Sequence, residues 1–222
     1  MEQSPKPQPK GPILLVVALP GELGALRVRA SEVERAQGLV FLAPHGCSDP
    51  AWVAVVAGIG KVRGAQAAAL GIRAFGARGV LSFGVCGGLS PRQKIGQLVH
   101  CERAVQADSA VREDREYRPD PAWIETWRRL APGPTGWFLT ADRPALSPWR
   151  RLRLARAFGG WPVAEMETAA IAAVAVSAGL PWAALRAVSD TLGFSRSVRF
   201  RHNYSEQAGR AAASVEALVA TL

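Results

Sequence analysis

From residue 13 onward the chain alternates short, unbroken apolar runs with longer segments whose apolar residues recur at helical spacing. Residues 13–18, 52–57, 80–83, 97–105, 136–140 and 182–188 read as strands. Residues 21–31, 62–75, 122–130, 149–158, 167–178 and 205–222 read as helices. The strands are continuously apolar rather than alternating, so both faces of their sheet are covered. This order predicts an α/β fold, one domain over 13–222 built on a central, largely parallel sheet. Residues 1–12 carry Pro5, Pro7, Pro9 and Pro12 among polar neighbours and predict a flexible tail. Residues 106–119 are polar and predict a loop or excursion.

Composition narrows the classes. With 222 residues, 49% hydrophobic and 20% charged, the chain is long and apolar enough to bury its own core. The net charge of +9 is nearly all arginine, since Lys6, Lys10, Lys61 and Lys94 are the lysines. Basic residues interleave with acids, as in Arg112-Glu113-Asp114-Arg115-Glu116, which reads as a solvated surface. A basic nucleic-acid-binding protein is the competing class, suggested by Trp149-Arg150-Arg151-Leu152-Arg153. That cluster reads equally as the exposed face of a helix, and no nucleic-acid motif accompanies it. Cys47, Cys86 and Cys101 form no C-x-x-C pair, which points away from a disulfide scaffold or zinc site and toward a reducing cytoplasm. No apolar run reaches the ~18 residues of a membrane span. The run 13–18 is short for a signal peptide and is followed by Pro20-Gly21-Glu22.

Against this apolar background a few acids stand out. Glu167 opens an almost uninterrupted Ala, Val and Ile run, and Asp190 closes another. A carboxylate beside apolar segments is costly unless paired or used. In an extended segment Glu165 and Glu167 share one side and Met166 takes the other. Helix-start acids also serve as caps, and Asp190, followed by Thr191 and Gly193, equally suits a turn. Gly58-Ile59-Gly60-Lys61 joins a strand to a helix, where backbone can approach a phosphate or ribose. It is not the dinucleotide fingerprint, because the third glycine is missing. Gly84-Val85-Cys86-Gly87-Gly88 follows a strand and admits close approach to its backbone. Ligands of open α/β sheets gather at the carboxyl ends of strands, where Glu22, Gly84 to Gly88 and Asp190 fall.

These segments together resemble the nucleoside phosphorylase and nucleosidase superfamily, and among its branches the 5′-methylthioadenosine/S-adenosylhomocysteine nucleosidases. Ala164-Glu165-Met166-Glu167 and Val188-Ser189-Asp190 are similar to its ribose and purine motifs, and Gly58-Ile59-Gly60-Lys61-Val62 recurs there. Gly84 to Leu89 looks like its glycine-rich segment, and Ile95-Gly96-Gln97-Leu98-Val99 echoes its I-G-D-V-V with Gln97 for the acid. The resemblance implies a single-domain, three-layer α/β fold with a mixed, partly barrel-like sheet. It also implies roles: Met166 and Glu167 hold the ribose, Ser189 and Asp190 meet the base, and Asp190 donates a proton to purine N7. Glu22 activates water, although Pro20-Gly21 departs from the acidic run of the nucleosidases and looks like the phosphorylase M-P-G-D. Val85 and Arg186 fall at the nucleophile site, and a buried Arg186 calls for a carboxylate partner. Thr140 to Ala145 aligns with the segment whose backbone reads the base at Ala145, with Pro144 in place of the stacking aromatic.

The expectation is therefore a purine nucleosidase, with a small-molecule nucleoside as substrate and adenine as product. No cofactor or metal is called for, since no metal constellation stands out. The superfamily implies a homo-oligomer, a dimer. A phosphorylase is the main alternative, with inorganic phosphate in place of water. The related phosphorylases carry arginine and serine donors where this chain has Ser82 and Val85, which favours water. Futalosine and adenosyl-lipid (hopanoid-type) hydrolases share these motifs, so the 5′ substituent stays open.

Overall fold

The computed structural model describes residues 11–111, 115–144, 147–158, 160–191 and 196–222. The expected tail over 1–12 lies outside the described residues as far as residue 10, whereas the carbonyl of Pro12 accepts from the Arg78 N–H at 3.0 Å.

The first apolar run forms β1 (Ile13–Val17), flanked on either side by β4 (Trp52–Val56) and β5 (Gly79–Gly88), both parallel to it. Alternation of side chains sends Leu14 and Val16 into one core cluster and Ile13, Leu15 and Val17 into the other. The cluster around Leu14 is closed by the small apolar faces of α1 (Lys61–Phe75) and α4 (Thr168–Ser177), through Ala67, Ala68, Ala169 and Ile171. The opposite cluster is closed by α2 (Pro121–Leu130) and α5 (Arg196–Val219), through Ile124, Trp127, Ala211 and Val215. Trp127 is fully buried and satisfies its indole N–H on Ser214 Oγ at 3.1 Å. The result is the expected three-layer arrangement.

The sheet is mixed, as the resemblance implies, and not largely parallel as the alternation of strands and helices predicts. Beyond β5 it continues through β9 (Val163–Glu165), β8 (Thr135–Thr140), β6 (Leu98–Gln106) and β10 (Trp182–Asp190). Strand β10 then pairs back onto β5, so these five strands close into a barrel-like ring. Pairs β10–β6 and β5–β9 are antiparallel, and β8 is parallel to both of its neighbours. All nine residues of β10 are buried, as its unbroken apolar run predicts. Near its end the β10–β5 register slips: Val188 opposes Cys86, yet Asp190 opposes Gly87, leaving Ser189 as an extra residue.

Three local expectations are corrected. Residues 21–31 do not form an α-helix; Pro20–Arg29 is a 3-10 segment kinked at Gly24, and the chain then enters β2 (Ala30–Ala36). Strand β2 pairs antiparallel with β3 (Leu39–Pro44), which extends the sheet past β4. The glycines of Gly84 to Gly88 lie inside β5, not after it. In the expected loop 106–119, the two-residue strand β7 (Glu116–Tyr117) pairs with β6.

Candidate active site

One cavity of about 420 Å³ opens where the carboxyl ends of β1, β5, β8 and β10 meet the start of α4. Leu19, Ile59, Ala107, Leu139, Pro144 and Leu154 give it mostly apolar walls. Into it come Glu22, Val85, Glu165, Met166, Glu167, Ser189 and Asp190, from four separate stretches of sequence. The volume falls within the range of small-ligand pockets.

Glu22 is placed by the 3-10 segment that follows β1, and is 4% exposed. Its Oε2 accepts from the backbone N–H groups of Ala18 and Leu19 at 2.9 and 3.0 Å, and Oε1 accepts from Val85 N–H at 3.0 Å. Burial pushes its carboxyl above the usual carboxylate range, against the opposing pull of Arg186 and of those three N–H groups. The approach depends on Gly84, whose φ is +149°: a Cβ there would lie 2.1 Å from Oε1 of Glu22. Beside it, burial drives the Cys86 thiol well above its ordinary range, which suits a packing residue and not a thiolate nucleophile.

Glu165 and Glu167 sit at the end of β9 and the threshold of α4. Glu165 points into the protein, where its carboxylate accepts from Thr140 Oγ1, Thr168 Oγ1 and the N–H groups of Glu167 and Thr168. Arg186 Nη2 lies 3.4 Å from Glu165 and donates at 2.9 Å to both Ser82 Oγ and Thr168 Oγ1. The carboxylate partner expected for Arg186 is therefore Glu165. Arg186 and Ser82 lie behind the cavity wall rather than among its lining residues. Glu167 accepts from Gly60 N–H at 2.8 Å. The backbone of the Gly58 to Lys61 turn thus serves a carboxylate. Lys61 itself turns to Asp108 at 2.8 Å and Asp142 at 3.2 Å. Burial first, and then the neighbouring Glu165 charge, push the Glu167 carboxyl up to about 7.

Ser189 and Asp190 come from the end of β10. Ser189 Oγ donates to the Cys86 carbonyl at 3.1 Å and lies 3.3 Å from Asp190 Oδ1. The group beside the Asp190 carboxylate is not another acid. Arg151, on α3 (Pro148–Ala157), places Nη2 2.7 Å from Asp190 Oδ2 and donates from Nη1 to the Thr191 carbonyl at 2.9 Å. The arginine cluster of α3 is accordingly not a uniformly exposed face: Trp149 is 80% exposed, whereas Arg151 is 2% exposed and lines the cavity.

The cavity therefore gathers Glu22, Val85, Met166, Glu167, Ser189 and Asp190 of the residues expected from sequence, with Arg186 behind it. Ala145 lies outside the described residues, while Pro144 beside it lines the wall. Sequence reasoning missed Arg151 and the anchoring role of Glu165. The Glu-Met-Glu spacing was the available signal for Glu165; nothing in the helical pattern distinguishes Arg151 from Arg150 or Arg153. Among the described residues no group of three or more His, Cys, Asp or Glu could hold a metal ion, and no helix is long and apolar enough to cross a membrane.

Residues 12–221 match the family model described as the phosphorylase superfamily. A 5′-methylthioadenosine/S-adenosylhomocysteine nucleosidase of Mycobacterium bovis is 31% identical over 237 residues, covering 89% of this chain and 92% of its own. A futalosine hydrolase of Thermus thermophilus is 31% identical over 200 residues, covering 81% and 86%. The native structure of the futalosine hydrolase of Helicobacter pylori superposes with a TM-score of 0.88 at 23% identity, covering 96% of this chain and 99% of that one.

Proposed function

The chain belongs to the phosphorylase superfamily, and from that premise we propose that it is a purine nucleosidase. It hydrolyses the N-glycosidic bond of adenosine-derived nucleosides of the methylthioadenosine and adenosylhomocysteine type. The observation that carries this reading is the seat of Glu22. The N–H groups of Ala18, Leu19 and Val85, at the carboxyl ends of β1 and within β5, all donate to its carboxylate. A phosphate cradle needs such donors free. Here they hold a proton acceptor instead.

The chemistry follows from three acids around one cavity. Asp190 enters the step protonated and gives that proton to purine N7, so the base departs neutral as the C1′–N9 bond breaks, and the carboxylate left behind pairs with Arg151. Glu167 accepts hydrogen bonds from the ribose hydroxyls, with Met166 as the apolar surface beside the sugar. Positive charge that develops on the ring is stabilised by nearby carboxylates in a largely apolar enclosure. Water then adds its hydroxyl to C1′ and passes its proton to Glu22. A buried carboxylate with a raised pKa is a stronger acceptor than a solvated one, so burial of Glu22 serves this step.

The test is a base-release assay on methylthioadenosine, adenosylhomocysteine, adenosine, inosine and futalosine, with and without phosphate. Hydrolysis in phosphate-free buffer with free sugar as product is expected. An obligatory phosphate requirement, with sugar 1-phosphate formed, would instead assign the chain to the phosphorylases.

A further inference from the structure

We infer that Arg151 sets the specificity of the base site and extends it to purines carrying a carbonyl oxygen at C6. The inference rests on the nucleosidase reading for one element, the orientation of purine N7 toward Asp190. Arg151 belongs to a built site: it is 2% exposed, ion-paired to Asp190 at 2.7 Å and bonded to the Thr191 carbonyl. Gly87 makes room for it, since a Cβ there would lie 1.9 Å from Nη2. Its Nε–H is buried and has no hydrogen-bond partner.

A guanidinium carries five N–H donors and no acceptor. Two N–H groups are used by Asp190 and Thr191, and Nη2, which carries two, keeps a second N–H beside the Asp190 carboxylate. On a purine, N7 and the C6 substituent share that edge. A 6-oxopurine offers two acceptors there, whereas adenine offers an acceptor at N7 and donors at C6. Arginine is the side chain that matches an N7/O6 pair. With a 6-oxo base bound, Arg151 donates to O6 and Asp190 is left to serve N7. With a 6-amino base, N–H faces N–H unless the amine turns to the carboxylate alone. A donor-only group at this point therefore favours the carbonyl.

The experiment compares kcat/KM for 5′-methylthioadenosine and 5′-methylthioinosine, which differ at C6 and in the proton on N1, in the wild type, Arg151→Met and Arg151→Lys. Each ratio is taken on one preparation, so the folded fraction cancels. Arg151→Met should lower the inosine-to-adenosine ratio about tenfold or more, the scale of a lost charged hydrogen bond, and Arg151→Lys should recover part of it. An unchanged ratio in Arg151→Met, however far both rates fall, overturns the proposal and leaves Arg151 as an ion-pair partner only. If the wild type cleaves neither nucleoside, the nucleosidase reading fails and calorimetry with free hypoxanthine and adenine decides. A selective loss of hypoxanthine affinity in Arg151→Met upholds the inference. An equal change in both, or no binding of either base, overturns it.

Discussion

The backbone N–H of Val85 donates to Oε1 of Glu22 at 3.0 Å, joining the glycine-rich strand to the carboxylate after the first strand. A loop acid and an interior strand 63 residues apart are thus fixed as one unit. Glu22→Gln keeps the size of the side chain but cannot take a proton from water. Hydrolysis should fall by roughly 10²–10⁴, with the fold retained. A variant that hydrolyses at the wild-type rate would remove Glu22 from the nucleophile step.

Gly84→Ala tests the same unit without replacing a charged residue. The added Cβ would meet Oε1 at 2.1 Å on a backbone whose φ is +149°. Stability should drop by about 1–3 kcal/mol from strain. A carboxylate displaced by an ångström should cost about 10²-fold in kcat. Unchanged kcat in a folded Gly84→Ala protein would show that the position of Glu22 is not critical.

Asp190→Asn preserves shape but not the acid. Base release should slow by roughly 10²–10⁴, and the loss should shrink for substrates whose base leaves readily without protonation. A uniform loss across good and poor leaving groups would speak for a structural role within the Arg151 pair.

Glu167→Gln should damage ribosides more than 2′-deoxyribosides, because an amide is a poorer acceptor for the 2′-hydroxyl and offers a misplaced donor. The ratio of kcat/KM values for the two sugars is the readout. Equal losses would place Glu167 in the fold rather than against the sugar.

The same residue predicts a pH dependence of stability. Its carboxyl titrates near 4.5 in the unfolded chain and at about 7 when folded. Between those values the folded protein keeps a proton that the unfolded chain releases. Glu167 therefore contributes stability that is complete below about pH 4.5 and is lost as pH rises through about 7. In urea unfolding, the wild-type advantage over Glu167→Gln should shrink by up to about 3 kcal/mol across that window. A pH-independent difference would contradict the titration.

Much of this architecture is legible in the sequence because burial leaves a periodic trace. The strands 13–18, 52–57 and 182–188 are apolar on both faces and stand close to their observed limits. Strand β2 leaves no such trace: Ala-Ser-Glu-Val-Glu-Arg-Ala is exposed over most of its length and is a strand only through its pairing with β3. Strand direction is equally silent, since periodicity records burial and not polarity of the chain; the mixed sheet is legible only through the resemblance. The acids of the site show because carboxylates are rare in apolar surroundings. Arg151 does not, because an arginine on a helix is ordinary until the fold reveals which one turns inward.

The register slip between Val188 and Asp190 has a consequence for how this site tolerates change. A regular strand presents alternate residues to opposite sides, so two consecutive side chains do not serve one ligand. By spending one unpaired residue, β10 brings Ser189 and Asp190 to the same cavity, near enough to touch at 3.3 Å. Length is therefore constrained there more tightly than identity. Loss or gain of a single residue after Ala187 would leave the hydrophobic barrel intact, yet separate the carboxylate from Gly87 and Arg151. Substitutions along β10 perturb its chemistry by degrees; a one-residue indel at its end would sever it.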